Sequence, residues 1–194
     1  MKHNGNNPDS HPGIPTRPLK VTINGQAQPV EAIPEELMML DYLHEYRNLT
    51  GTRFGCGQGL CRACTVIVDN PDGSSEEIRT CITSAHDFDG KTIRTIEGHA
   101  ARDENGSIKA LSTVQEQFLE HFSFQCSYCA PGFVNAATVL VEKLKRQPVP
   151  RKQLEKIISA ALEPHICRCT GYVRFYEAVR EAILKTPGTT RGEG

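Results

Sequence analysis

The chain has 194 residues, enough for one domain or two small ones, and its formal net charge of −1 gives no sign of a nucleic-acid partner. Its hydrophobic content of 38% is low for a stand-alone globular protein, so we expect another subunit to cover part of its apolar surface. No stretch approaches the roughly 18 consecutive apolar residues of a spanning helix, which predicts no direct membrane span.

Residues 1–18 are polar and rich in Asn and Pro, which predicts a flexible N-terminal arm. They contain neither the apolar segment of a secretory signal nor a twin arginine. We therefore expect a cytoplasmic protein, with a periplasmic location only by co-export with a partner that carries a signal.

Residues 19–97 are predicted to form the first domain. It opens with a β-hairpin in which Asn24 and Gly25 make the turn and Pro29 marks an edge or a bulge in the return strand. A helix is predicted from Pro34 to about Arg47. Its inner face carries three leucines: Leu37, Leu40 and Leu43.

Four cysteines of this domain follow the spacing C-x4-C-x2-C-x16-C. They are Cys56, Cys61, Cys64 and Cys81. This is the plant-type ferredoxin pattern, in which four thiolates hold a 2Fe–2S cluster. The glycines of the loop 51–64 let the backbone wrap closely and direct N–H groups at sulfur. Zinc and disulfides are the alternatives, although zinc sites more often use two short Cys-Cys pairs.

Residues 98–110 read as a polar linker, and residues 111–186 as a domain of four helices. Ser112 and Gln115 form a capping box that opens the first helix, and Pro131 begins the second. Apolar residues recur with helical spacing near 154–162 and 175–183, which predicts the third and fourth helices. Residues 187–194 read as a flexible tail.

The remaining four cysteines follow the spacing C-x2-C-x37-C-x-C. They are Cys126, Cys129, Cys167 and Cys169. Each pair directly precedes a predicted helix, so two helix N-termini would direct their positive ends at one anionic cluster. The eight cysteines thus predict two iron–sulfur sites, the first site from residues 56–81 and the second site from residues 126–169. No catalytic residue stands out.

Four motifs resemble the small iron–sulfur subunit of the xanthine oxidase family of molybdenum hydroxylases. They are GCGQGLCRAC (55–64), RTC (79–81), FQCSYCAPGF (124–133) and ICRCTGY (166–172). In length and order, the chain is most similar to the small subunits of bacterial aldehyde, isoquinoline and nicotinate-type dehydrogenases. The resemblance covers about residues 19–186.

The resemblance implies an α+β chain, with a β-grasp ferredoxin-like domain followed by an all-α four-helix-bundle domain. It also implies two 2Fe–2S clusters and a large partner subunit that holds molybdenum on a pterin (molybdopterin-type) cofactor. By similarity, Gln125 and Cys169 are expected to contact that pterin. Further partners implied are a flavin or a cytochrome c subunit.

The expected function is electron transfer from the molybdenum subunit, which oxidises an aldehyde or N-heterocycle, to a flavin, cytochrome or quinone-linked acceptor. The alternative is a stand-alone iron–sulfur redox sensor or a zinc-stapled interaction module. Several of the apolar side chains around the second site are expected to be covered by the large subunit. The candidates are Phe124, Tyr128, Phe133 and Tyr172.

The sequence departs from the family pattern at three places. Arg62 and Ser127 stand where glycine is common, and the gap from Cys129 to Cys167 is long. None of these changes removes a cysteine. His165, two residues before Cys167, is a candidate for tuning a cluster, but a position on the surface or at an interface is expected instead.

Overall fold

The first half of the chain builds a mixed sheet from short strands. The computed structural model describes residues 13–192. The strands of this half are β1 (Thr16–Leu19), β2 (Thr22–Ile23), β3 (Gln26–Ala27), β4 (Glu31–Pro34), β5 (Thr65–Asp69), β6 (Ser75–Arg79) and β7 (Thr92–Arg94). Five of them form one sheet in the order β3-β2-β7-β5-β6, with β2 and β7 parallel and the other neighbours antiparallel. β1 and β4 pair separately.

The predicted hairpin is present as two short strand pairs. Asn24 and Gly25 have φ angles of 52° and 78°, the left-handed conformation that a two-residue hairpin turn requires. β2 pairs with β3 beside this turn, and β1 pairs with β4 farther out. Pro29 lies in the interruption between β3 and β4, because proline has no N–H to donate to a partner strand. β1 already begins at Thr16, within the predicted arm, of which residues 1–12 lie outside the described residues.

The predicted helix of the first half begins later than expected. Helix α1 spans Met39–Asp41 and continues as a π-helical turn over Tyr42–Tyr46, so the predicted start at Pro34 is wrong. Pro34 instead ends β4, and Met38 forms a β-bridge with Ser84. Backbone pairing with other segments therefore holds this stretch extended until the helix can start.

The second half contains the four predicted helices. They are α2 (Thr113–Glu120), α3 (Ala130–Arg146), α4 (Leu154–Leu162) and α5 (Val173–Lys185). The predicted capping box between Ser112 and Gln115 is present at the start of α2. In the core between the helices, Phe133 stacks on Phe175 with ring centroids 4.1 Å apart. Within residues 13–192 no helix is long and apolar enough to cross a membrane.

Two further short strand pairs lie outside the main sheet. Residues 98–110, predicted as a linker, contain the antiparallel strands β8 (Ala101–Arg102) and β9 (Ile108–Ala110). Near the C-terminus, β11 (Thr190–Arg191) pairs in parallel with β10 (Val149–Pro150). The buried Thr189 hydroxyl, which donates to the carbonyl of Ile183 at 2.6 Å, also holds this segment on the helices.

The two halves meet where the start of α3 packs on the loop before β5. The amide of Asn135 donates to the carbonyl of Thr65 at 2.6 Å. One turn earlier, a Cβ added at Gly132 would lie 2.3 Å from the carbonyl oxygen of Arg62. The backbones of the two halves therefore approach so closely that only glycine fits at this helix position.

A charged cluster reinforces this contact at the other end of β5. The guanidinium of Arg94 donates to Asp69 of β5 at 2.7 Å and to Glu142 of α3 at 2.7 Å. Ser75 donates to the same Glu142 carboxylate at 2.6 Å. Arg94 thus pairs with one carboxylate from each half, and these contacts, with that of Ser75 to Glu142, fix the orientation of α3 on the sheet.

We expect Gly132→Ala to lower the free energy of unfolding by about 1–3 kcal/mol, because the methyl group would overlap a backbone carbonyl that cannot move alone. Helix propensity alone would make the alanine variant about 1 kcal/mol more stable than glycine. A lower free energy of unfolding would therefore be due to the clash. Urea unfolding measures the change. Gly192→Ala is the control, since a Cβ there meets no atom within 4 Å. Equal stability of both variants would contradict the close approach.

We expect Arg94→Leu to cost about 1–3 kcal/mol of stability, because it leaves the Asp69 and Glu142 carboxylates partly buried without their cation. The matched control is Arg180→Leu. Arg180 pairs with Glu181 on the exposed surface, and loss of that pair should cost about 0.5 kcal/mol or less. A similar shift of the unfolding midpoint in both variants would contradict this role of Arg94.

Candidate iron–sulfur sites

The first four cysteines come together through one loop and one strand pair. Cys56, Cys61 and Cys64 lie on the loop that enters β5, and Cys81 lies in a 3-10 turn after β6. Antiparallel pairing of β5 with β6 sets Thr65 opposite Arg79 and so brings the ligand positions at the strand ends together. The loop turns sharply at Gly57 and Gly59, whose φ angles of 66° and 70° favour glycine.

Backbone N–H groups of this loop point at the Cys56 sulfur. The amides of Cys61 and Gln58 each donate to Cys56 Sγ at 3.4 Å. These hydrogen bonds, with that of Cys61 first, lower the pKa of Cys56 to about 6. Burial instead raises the pKa of Cys81 to about 11. The loop therefore favours the thiolate, which is the form that binds metal, at its more exposed end.

The second four cysteines lie at the start of two helices, as the sequence predicts. Cys129 is the N-cap of α3, with Cys126 one turn before it. Cys167 and Cys169 lie on the loop that enters α5, whose N-cap is Tyr172. Tyr172 has a left-handed φ of 72°, which turns the chain sharply from the cysteine loop into the helix.

The sulfurs of the second site form one exposed pair and one more buried pair. The exposed Cys126 and Cys169 have Sγ atoms 3.6 Å apart. The other pair is Cys129 and Cys167, whose thiols interact and shift each other's pKa. Burial raises the pKa of Cys129 to about 12. Burial also acts to raise the pKa of Cys167, but hydrogen bonds led by that of the Thr170 hydroxyl, 3.1 Å from its sulfur, lower it.

A pairwise arrangement suits a two-iron cluster. Among residues 13–192, no three His, Cys, Asp or Glu side chains are arranged to hold a single metal ion. A 2Fe–2S cluster bridges its irons with sulfides and shares its four thiolates between them, so it needs sulfurs in pairs. At the first site the thiol of Cys61 interacts with that of Cys56, and the thiol of Cys81 interacts with that of Cys64 and, less strongly, with that of Cys56. The donor chemistry at both sites therefore fits this cluster.

The two positions where glycine is common in the family have left-handed backbones. Arg62 has a φ of 59° and Ser127 a φ of 64°. Side chains other than Gly, Asn and Asp rarely adopt this conformation. The structure thus gives a physical reason for glycine there, and this chain tolerates a side chain at both positions.

Two hydrogen bonds connect the loops of the two sites directly. The amide of Ile166, which adjoins Cys167, donates to the carbonyl of Cys61 at 3.1 Å. The hydroxyl of Tyr128, between Cys126 and Cys129, donates to the carbonyl of Phe54 at 2.6 Å. A ligand position of one site is therefore one hydrogen bond and one residue away from a ligand position of the other.

Sequence reasoning named His165 but missed its burial and its partner at this junction. His165 is buried, with a side chain 1% exposed, so its expected surface position is wrong. Its Nε2 lies 3.0 Å from a carboxylate oxygen of Glu77 on β6. The two residues are far apart in sequence, and no local pattern identifies such a pair.

The expected pterin contacts, Gln125 and Cys169, both lie on the exposed side of the second site. Gln125 directly precedes Cys126, whose sulfur is close to that of Cys169. Among the apolar residues expected under a partner, Tyr128 and Tyr172 are 47% and 39% exposed. Phe133 is fully buried in the chain's own core and is therefore unavailable to a partner.

Comparison with known proteins agrees with this arrangement. A family described as the 2Fe-2S iron–sulfur cluster binding domain matches residues 21–87, and one described as the 2Fe-2S binding domain matches residues 95–180. The chain is 37% identical to the nicotine 6-hydroxylase small subunit of Paenarthrobacter nicotinovorans, over 88% of this chain and 89% of that one.

Solved structures show the same fold. Quinoline 2-oxidoreductase from Pseudomonas putida 86 matches with a TM-score of 0.71 and 30% identity, over 87% of this chain and 93% of that one. Aldehyde oxidoreductase from Desulfovibrio gigas matches with a TM-score of 0.71 and 31% identity, over 89% of this chain but 18% of that longer one. The chain has two 2Fe–2S binding domains and belongs to the small iron–sulfur subunits of the xanthine oxidase family of molybdenum hydroxylases.

Proposed function

We propose that this chain carries electrons between a large molybdenum-pterin subunit and an acceptor through two 2Fe–2S clusters. The observation that carries the proposal is the hydrogen bond from Ile166 to Cys61, which joins a cysteine loop of the first site to a cysteine loop of the second. Each cluster supplies a centre that takes or gives one electron at a time. The chain's own contribution is to hold two such centres at a constant, short separation.

We assign the ligands by site and in pairs. Cys56 with Cys61 and Cys64 with Cys81 hold the first cluster, and Cys126 with Cys169 and Cys129 with Cys167 hold the second. The exposure of Cys126 and Cys169 supports their facing a partner, and the lower exposure of the other pair supports its facing the first site. Electrons then enter the second site and leave through the first.

The large subunit covers the exposed side of the second site in this proposal. Gln125 and Cys169 contact its pterin, and their exposure leaves both available for such a contact. One relative is the small subunit of nicotine 6-hydroxylase, and in aldehyde oxidoreductase the matching region is a section of a longer chain. Both relatives support a molybdenum partner for this chain. Their named substrates, nicotine, quinoline and aldehyde, support an N-heterocycle or an aldehyde as the substrate of the partner.

The proposal extends to architecture and surroundings. Residues 19–97 form a β-grasp ferredoxin-like domain, residues 98–110 connect it, and residues 111–186 form a four-helix bundle. The acceptor is a flavin, a cytochrome or a quinone-linked protein that docks near the first site. The complex assembles in the cytoplasm, and co-export with a signal-bearing partner is the alternative route to the periplasm.

Metal analysis of the purified chain should find about four irons and four sulfides per molecule with little zinc, since each 2Fe–2S cluster contains two of each. Electron paramagnetic resonance of the reduced protein should show two distinct signals. Cys81→Ser should remove one signal and Cys169→Ser the other. Loss of the same signal in both variants would contradict two separate clusters, and stoichiometric zinc would favour the zinc-stapled module.

In the complex, Gln125→Leu should leave both cluster signals intact while weakening pterin retention or slowing transfer from pterin to the second site. The loss of a hydrogen bond to a buried polar group should cost about 1–3 kcal/mol. The control is Gln147→Leu, an exposed glutamine just after α3 and away from the cysteines. Unchanged pterin content and reduction rate in Gln125→Leu would disprove the contact.

A further inference from the structure

One carboxylate contacts the loops of both sites. A single oxygen of Glu77, Oε2, lies 3.0 Å from His165 Nε2 and 3.7 Å from Arg62 Nη1. Arg62 directly follows Cys61, and His165 lies two residues before Cys167. The Glu77 side chain is 20% exposed and projects from β6 between the two loops. Its charge is therefore less screened than that of a surface glutamate.

Arg62 carries a conformational cost that needs an explanation. Its φ of 59° is strained for an arginine, and glycine would adopt it freely. The arginine contributes a cation beside a ligand of the first site. Reduction adds one negative charge to a cluster, so a nearby cation stabilises the reduced form and a nearby anion the oxidised form.

We propose that Glu77 is a positioning residue that balances the charge of Arg62 and thereby sets the reduction potential of the first cluster. This inference rests on the proposed function. The ion pair brings the guanidinium to β6, and the second contact of the same oxygen holds His165, which directly precedes Ile166, the donor of the linking hydrogen bond to Cys61. Arg62 thus contributes a nearly neutral pair beside the first site instead of a free cation.

The test is a redox titration of the cluster-loaded full chain, following the resonance signal that Cys81→Ser removes. Glu77→Gln keeps the side-chain shape and removes the anion, so the potential should rise. Arg62→Gly removes the cation and suits the left-handed backbone, so the potential should fall. Each shift should change the ratio of reduced to oxidised cluster at fixed potential by roughly three- to tenfold, where tenfold equals about 59 mV for one electron.

The double variant Glu77→Gln with Arg62→Gly restores the net charge and should titrate close to the original chain. Glu76→Gln is the matched control, because Glu76 is the exposed neighbour on the same strand and its side chain points to the opposite face. It should shift the potential less than Glu77→Gln does. If Glu77 only supported the fold, its replacement would change stability. It would not give a shift in potential that is opposite to that of Arg62→Gly and that cancels in the double variant.

Equal shifts for Glu76→Gln and Glu77→Gln, or shifts of the same sign for Glu77→Gln and Arg62→Gly, would overturn the inference. An unchanged or raised potential of the first cluster in Arg62→Gly would also overturn the inference. This result can be obtained even if Glu77→Gln loads no cluster. These results leave the proposed function intact as long as the original chain shows two cluster signals. Absence of both signals in the original chain would defeat the proposed function itself.

Discussion

The structure depends on a backbone-to-backbone contact between its two halves. Gly132 at the start of α3 lies against the carbonyl of Arg62, and Ile166 donates to the carbonyl of Cys61. Both contacts involve main-chain atoms of the first cysteine loop, so neither depends on a flexible side chain. Electron transfer weakens steeply with distance, and a contact of this kind keeps the separation of two redox centres constant.

The sheet and helices provide the framework that keeps this contact in register. Arg94 connects a carboxylate of β5 with one of α3, and Asn135 donates to the carbonyl of Thr65 where the cysteine loop enters β5. These polar groups are partly or fully buried and are paired across the junction. Charge pairing of this kind favours one relative orientation, because any other arrangement would leave carboxylates or amides without partners.

The same junction is where electrostatics can tune the function. Two cysteines of the second site, Cys126 and Cys169, are exposed, and the other two are more buried. At the junction of the two sites, Glu77 contacts Arg62 of the first loop and His165 of the second, and so brings charge close to both loops. A protein that tolerates arginine in a glycine conformation at this position gains a means to adjust one cluster without changing any ligand.

The amino-acid sequence by itself determined the cysteine grouping, the hairpin turn at Asn24 and Gly25, the capping box at Ser112 and the four helices, because these depend on local spacing, turn chemistry and periodicity. It did not determine the helix start near Met39, since pairing of Pro34 and Met38 with distant segments decided that. Only the tertiary structure decided that His165 is buried against Glu77 and that Phe133 belongs to the core. Such contacts join residues far apart in the chain, and packing between the two halves selects them.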